Sequence, residues 1–167
     1  MALPIYLTIT DETGNHLKGS VTTKDLEGCI ELIEFEHNVS RPTDDNTGKY
    51  TGERVHSPIM FTKEVDASSV YLDRAVGSGK TWQEARFDFQ QVLSNGEVEV
   101  YFSMLLKNVK VASVTKKMLD IKDPDNKGYK HLEEVELRYE EITWNFKDGN
   151  HLHTDSWDTR PMAAAAG

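Results

Sequence analysis

The sequence predicts a mainly β domain with one short helix, and three observations carry that prediction. Apolar residues recur at every second position through most of the chain, the signature of strands with one buried face. Only the stretch after Asp66 has helical spacing. In two long strands the apolar phase slips by one, which calls for a β-bulge and a sheet that curves into a barrel or sandwich.

Taken in order, Ile5, Leu7 and Ile9 alternate with polar neighbours up to the turn Asp11-Glu12-Thr13-Gly14-Asn15. Gly19–Leu26 reads as a short strand or a loop. Cys29–Ser40 is a second strand, with Ile30 and Leu32 in one phase and Ile33, Phe35 and His37 in the other. Arg41–Arg54 is almost wholly polar, and a loop of that length inside a domain is usually functional or disordered. Strand pattern returns over Val55–Val65. Asp66-Ala67-Ser68-Ser69 then offers N-caps for a helix whose apolar stripe is Val70, Tyr71, Leu72, Ala75 and Val76, ending at Gly77. From Trp82 the period is two again, with Ala85, Phe87 and Phe89 on one face. Ser94-Asn95-Gly96 is a hairpin turn. Val98 to Leu106 forms a single-phase strand, Lys107-Asn108 breaks it, and Val109–Lys117 continues as another. Asp120–Lys130 is a polar tip. It leads into His131–Phe146, where Val135, Leu137 and Tyr139 alternate until Glu140-Glu141 moves the apolar set to Ile142, Trp144 and Phe146.

A length of 167 residues without repeat or linker predicts one domain over 1–160, with Pro161–Gly167 as a disordered tail. The formal net charge of −9 argues against nucleic acid and against an anionic membrane surface as partners. Met1–Gly14 has neither a basic start nor a signal-length apolar run, and a single cysteine, Cys29, permits no intrachain disulfide. The expectation is a cytoplasmic protein folded without oxidation.

Several motifs tempt a chemical reading and fail it. Gly77-Ser78-Gly79-Lys80-Thr81 resembles the end of a phosphate-binding loop, but Arg74 stands where a glycine is required, and helix precedes strand instead of following it. Asp123-x-Asp125-x-Lys127-Gly128 with Glu134 mimics a calcium loop, yet a lysine occupies the fifth position. His151 and His153 share a strand face, and His37, His56, His131 and Asp155 are conceivable companions, but no third ligand stands at a metal spacing. The adjacent pairs Glu133-Glu134 and Glu140-Glu141 point to opposite sheet faces and cannot act as dyads. Neither Cys29 nor any serine has a recognisable base. The reading is non-enzymatic, with no cofactor and no metal.

Taken together, several segments resemble one family. These are Ile30–His37; His56–Ser69, with its run Phe61-Thr62-Lys63-x-Val65-Asp66-x-Ser68-Ser69; Gly77-Ser78-Gly79-Lys80; Leu106–Val111; and the closing pattern Glu133-x-Val135-x-Leu137-x-Tyr139-x-x-Ile142-Thr143-Trp144. In order and spacing, from about Ile5 to Trp157, they are similar to the haemolysin-coregulated protein (Hcp) family, tube subunits of the bacterial type VI secretion apparatus.

The resemblance implies a two-sheet β-barrel with the helix packed outside. It also implies homohexameric rings stacked into a hollow tube, and export from the bacterial cytoplasm without a signal peptide. The partners would be the spike, the sheath and effectors chaperoned in the lumen. On this reading the extended loop is an inter-subunit contact. Arg41, Lys49 and Arg54 interleave with Asp44, Asp45 and Glu53, and Tyr50 supplies an anchor. Glu34 and Glu36 are the lumen candidates. The alternative is a monomeric β-barrel that binds a small ligand or carbohydrate.

Overall fold

The computed structural model describes residues 1–156; the expected tail Pro161–Gly167 lies outside them. Ten strands and one helix follow the alternation closely: β1 Ile5–Thr10, β2 Ile30–Glu36, β3 Val39–Ser40, β4 Val55–His56, β5 Ile59–Glu64, α1 Ser68–Ser78, β6 Trp82–Val92, β7 Val98–Lys117, β8 Leu132–Arg138, β9 Glu141–Phe146 and β10 His151–Ser156. The antiparallel order β7-β6-β1-β2-β5-β8 returns to β7 and closes a six-stranded barrel, while β9 and β10 extend one side beyond it. Closure removes the exposed edges that an open sheet of this size would present.

The 20-residue strand β7 makes the closure possible. Its first half pairs with β9 (Phe102↔Phe146 to Lys107↔Glu141) and its second half with β8 (Lys110↔Arg138 to Lys117↔Leu132). The junction is where the sequence shows its phase slip, but it is not a bulge in one strand. Lys107↔Glu141 and Lys110↔Arg138 share one register, so both strands slip together. Strand β6 does the same. Trp82 and Ala85 are buried while Gln83 and Glu84, opposite Asn108 and Lys107, are exposed. The result is a crease crossing three strands, each contributing two consecutive outward residues: Gln83-Glu84, Lys107-Asn108 and Glu140-Glu141. Asn108 accommodates the fold line with φ 53°, a left-handed conformation that asparagine tolerates. Lys107-Asn108 therefore bends β7 rather than ending it. Glu140 and Glu141 lie along the crease, with Glu140 accepting from Asn108 Nδ2 at 2.9 Å.

A one-sided bulge does occur in β2. The pairing with β5 shifts between Leu32 and Glu34, which pushes Ile33 out to 37% exposure. Ile33 was expected beside Phe35 in the core; it is the extra residue instead. Phe35 packs edge-on against Phe87 and Phe89 at 5.3 and 5.4 Å. Leu7, Ile9, Ile30, Ile59, Phe87, Leu106, Leu137 and Ile142 fill the interior.

The helix buries only part of the expected stripe, Leu72 and Ala75. Ser68, Ser69, Leu72 and Ala75 face inward, whereas Val70 is 70% exposed and Tyr71 and Val76 are also outside. Packing against a polar cluster at the helix start, described below, decides which face turns in. The helix ends at Gly79 rather than Gly77: Gly79 takes φ 68° and donates its N–H to Ala75 O at 2.9 Å. Gly19–Leu26 is a loop, and the strand expected over Val55–Val65 is split at Ser57-Pro58.

Candidate assembly surfaces and buried polar clusters

Residues 41–54 form a projecting hairpin arm. Its base is the β3–β4 pair, and a bridge between Thr43 and Tyr50 continues the ladder. At the tip the Asp44 carboxylate accepts from the N–H groups of Asn46 and Thr47 (2.9 and 2.8 Å) and from the Thr47 hydroxyl. Those bonds stabilise the carboxylate and make it more acidic than usual, the Thr47 N–H contributing most. Tyr50 is 72% exposed and lies under the Arg41 guanidinium at 5.0 Å. Arg54 turns inward to Asp155 (2.5 Å) and to Ser156 O (3.0 Å). Of the seven loop residues singled out in the sequence, Asp44 folds the tip and Arg54 fixes the base. Arg41, Asp45, Lys49, Tyr50 and Glu53 stand on the free surface.

Glu34 and Glu36 lie on the outer face of the β2-β5-β8-β7 wall. Cross-strand register aligns Glu34, Thr62, Glu134 and Thr115 in one row, and Glu36, Met60, Glu136 and Ser113 in the next. These eight residues line a shallow trough. The Thr62 hydroxyl donates to Glu34 at 3.1 Å, and Lys117 reaches Glu134 at 3.1 Å. The two candidate glutamates are thus brought together with Glu134 and Glu136, which sequence reasoning left out. Counting every second residue back from Glu136 on β8 was the available signal.

Beneath that wall lies a charge cluster that sequence reasoning missed. Lys63 and Glu133 are directly opposite on β5 and β8, both fully buried, with Nζ 2.5 Å from Oε1. Lys63 Nζ also donates to Glu64 O (2.8 Å), Asp66 Oδ1 (3.1 Å) and Ser69 Oγ (3.3 Å). Ser69 Oγ donates to Glu133 and accepts from Asp66 N–H; Asp66 accepts from Ser68 N–H at 2.8 Å. This network explains why Lys63, Asp66, Ser68 and Ser69 occur as one motif: together they cap α1 and weld its first turn to the barrel. Glu133 Oε2 has Lys116 at 3.7 Å, and Lys116 is itself held by Asp73 of α1 at 2.6 Å. The signal was present in the alternation. Lys63 is in phase with Ile59 and Phe61, and Glu133 with Val135 and Leu137.

At the other end of the same strand pair, where the arm meets the barrel, Tyr139 is 6% exposed and its hydroxyl sits between two imidazoles. His37 Nε2 is 2.7 Å away and His56 Nδ1 2.6 Å. His56 Nε2 faces Asp155 Oδ2 at 2.7 Å. Trp144 stacks on His56 on one side and, in parallel at 5.6 Å, with His153 on the other. Burial first, then repulsion from His56, depresses His37 to about 4. Burial, reinforced by the Asp155 charge, raises the Tyr139 hydroxyl. Burial alone would raise Asp155 as well, but hydrogen bonds from Arg54 and His56 outweigh it and keep the carboxylate more acidic than usual. His37, His56 and Asp155 do converge, as the sequence allowed, but around a tyrosine rather than a metal.

The remaining motifs have ordinary structural roles. Lys80 reaches Glu12 at 3.4 Å on the surface, and Asp123 caps the short 3₁₀ turn Pro124–Asn126. His131 is at the opposite end of β8 from His56. Glu133 and Glu134 do face opposite sides of the sheet, whereas Glu140 and Glu141 both turn outward at the crease. Cys29 is half-buried, 3.7 Å from Thr8 Oγ1. Among the described residues no cluster of three or more His, Cys, Asp or Glu is arranged to hold a metal, and no helix is long and apolar enough to cross a membrane.

Comparison with known proteins agrees with this architecture. The "Major exported protein" of Pseudomonas aeruginosa is 28% identical over 166 residues, spanning 94% of this chain and 96% of that protein. The solved Hcp1 of the E. coli EAEC 042 pathovar is 46% identical with a TM-score of 0.83, over 93% of this chain and 99% of that one. Secreted protein Hcp3 of Pseudomonas aeruginosa shares the fold at 23% identity and TM-score 0.76, over 94% and 99%. The family described as "Type VI secretion system effector, Hcp" matches residues 6–146, which carry the barrel, the arm and the buried clusters apart from Asp155; this chain belongs to the Hcp family of type VI secretion.

Proposed function

We propose that this chain is a non-enzymatic tube subunit that forms homohexameric rings, stacks them through the arm, and is exported with effectors held in the lumen. One observation carries the assembly part. The arm projects from a closed barrel with Tyr50 and most of its charges left uncovered by the described residues, a surface suited to a contact with another subunit. Unlike faces meeting head to tail can close a ring and can also propagate along an axis. An exposed tyrosine with an arginine stacked on it is a composition enriched at interface anchors. The acidic rows at Glu34 and Glu36 support a lumen face that meets cationic cargo surfaces, because charge complementarity there gives selectivity without tight binding.

Light scattering coupled to size exclusion tests the reading. The expected result is a hexamer of the full chain, with longer stacks at high protein concentration. Deleting Thr43–Thr51 should leave the β circular dichroism signal intact while abolishing stacks. A single-subunit species at every concentration would instead favour the monomeric ligand-binding barrel.

A further inference from the structure

The joint between arm and barrel is built from groups that change protonation, and its hydrogen bonds can be counted. His56 Nε2 faces a carboxylate that only accepts, so it carries a proton and donates to Asp155. With His56 neutral, its Nδ1 accepts the Tyr139 hydroxyl proton, and the freed lone pairs of Tyr139 accept from His37 Nε2–H. Each contact along Asp155, His56, Tyr139 and His37 is then a matched donor and acceptor, with both rings uncharged. One added proton on His56 is tolerated by reversing the chain: Nδ1 donates to Tyr139, and Tyr139 donates to His37 as its other tautomer. A second proton has no such solution. Both imidazoles then point N–H groups at one buried hydroxyl whose own hydrogen has lost its acceptor.

We propose that Asp155, His56, Tyr139 and His37 form a proton-sensitive latch, which clamps the arm to the barrel while at most one imidazole is charged and releases it when both are. The placement fits that role. His37 leads into β3, and His56 ends β4, so the two histidines flank the arm; Tyr139 follows β8, and Asp155 belongs to β10. Among the described residues, the charged groups packed around them are two ion pairs and one further cation, Arg138. Arg54 pairs with Asp155, and Lys110 pairs with Glu140 at 3.9 Å beside Arg138, in the recess that His56 and Tyr139 line. Among the described residues the arm buries little apolar surface to hold it once the chain breaks, since Val39, Tyr50 and Val55 are all exposed.

The direction with pH follows from His37. Its folded value of about 4 lies below the ordinary 6.5, so the open or unfolded form binds more protons between those limits. The latch is at full strength above about pH 6.5 and weakens as pH falls toward 4. Asp155 stays ionised through most of this window, because Arg54 and His56 hold its proton affinity down.

This proposal deepens the assembly reading, since the arm it governs is the one assigned to stacking, but it is testable on dispersed protein. Hydrogen exchange of residues 38–57 in the full chain, corrected for intrinsic rates, should accelerate on the order of tenfold or more between pH 7.5 and 4.5, while barrel amides stay protected. His37→Gln keeps an N–H donor aimed at Tyr139 without titrating, and should stay closed at pH 4.5. Tyr139→Phe should expose the arm already at pH 7.5 and abolish the pH dependence. A pH-independent arm in the wild type overturns the latch, as does opening of His37→Gln at the wild-type pH or simultaneous opening of arm and barrel. Light scattering on the same samples separates the two claims. Rings that remain stacked while the arm exchanges freely would leave the latch standing and remove the arm from assembly.

Discussion

The two ends of the β5–β8 pair carry buried polar networks of opposite design. At one end Lys63 and Glu133 are a salt-bridged pair sealed at zero exposure and supported by Asp66 and Ser69. At the other, Tyr139 joins two imidazoles whose charge is optional. A salt bridge sealed from water is costly to break, and it holds a helix that packs on β7. A hydroxyl–imidazole chain keeps its geometry only in some protonation states, and it holds an arm that is largely exposed among the described residues. The difference shows that buried polarity serves two purposes here: one cluster fixes, the other can let go.

The sharpest way to break the comparison is to remove one member of the charged pair. Lys63→Met leaves Glu133 buried beside an apolar chain and should cost about 3–5 kcal/mol in chemical denaturation, with the barrel and not only α1 affected. The double variant Lys63→Met, Glu133→Leu should recover most of that loss; if it remains as unstable as the single variant, the pair is not what makes the site costly.

At the arm end the expected loss is smaller and local. Tyr139→Phe leaves two imidazoles without their shared partner, a penalty of about 1–3 kcal/mol. Denaturation midpoints of wild type should fall as pH drops from 6.5 toward 4, whereas those of Tyr139→Phe should fall less; equal slopes would remove the distinction between the two networks.

Still smaller effects are expected on the free surface. Asp45→Lys should leave monomer stability unchanged and weaken stacking in dilute salt, with the difference shrinking as salt screens the contact. Asp44→Lys differs from it, because that carboxylate folds the arm tip, and its assembly defect should persist at high salt. Glu36→Arg, in the acidic trough, should alter cargo retention with no measurable change in ring formation or denaturation midpoint; a broken ring would place Glu36 at a subunit contact.

Much of this protein is legible in local periodicity alone. Alternation marks the strands, Asp66–Ser69 marks the helix start, the polar run Arg41–Arg54 marks the arm, and the ordered segments mark the family. Periodicity also registers the slip at Glu140-Glu141 and the interruption at Lys107-Asn108, but as separate events. Tertiary pairing joins them, with Gln83-Glu84, into one crease, because a slip shared by neighbours keeps register and only the assembled sheet shows which residues are opposite. The same holds for the polar clusters. Alternation reports which face a side chain takes, so Lys63 and Glu133 stand visibly in core phase, but not that they face each other across 70 residues. Nor does it say that Arg54 meets Asp155 across 101, or that Tyr139 lies between His37 and His56. Those partners are set by the assembled sheet and arm, which bring distant strands within hydrogen-bond reach and leave their buried charges and hydroxyls to pair with one another.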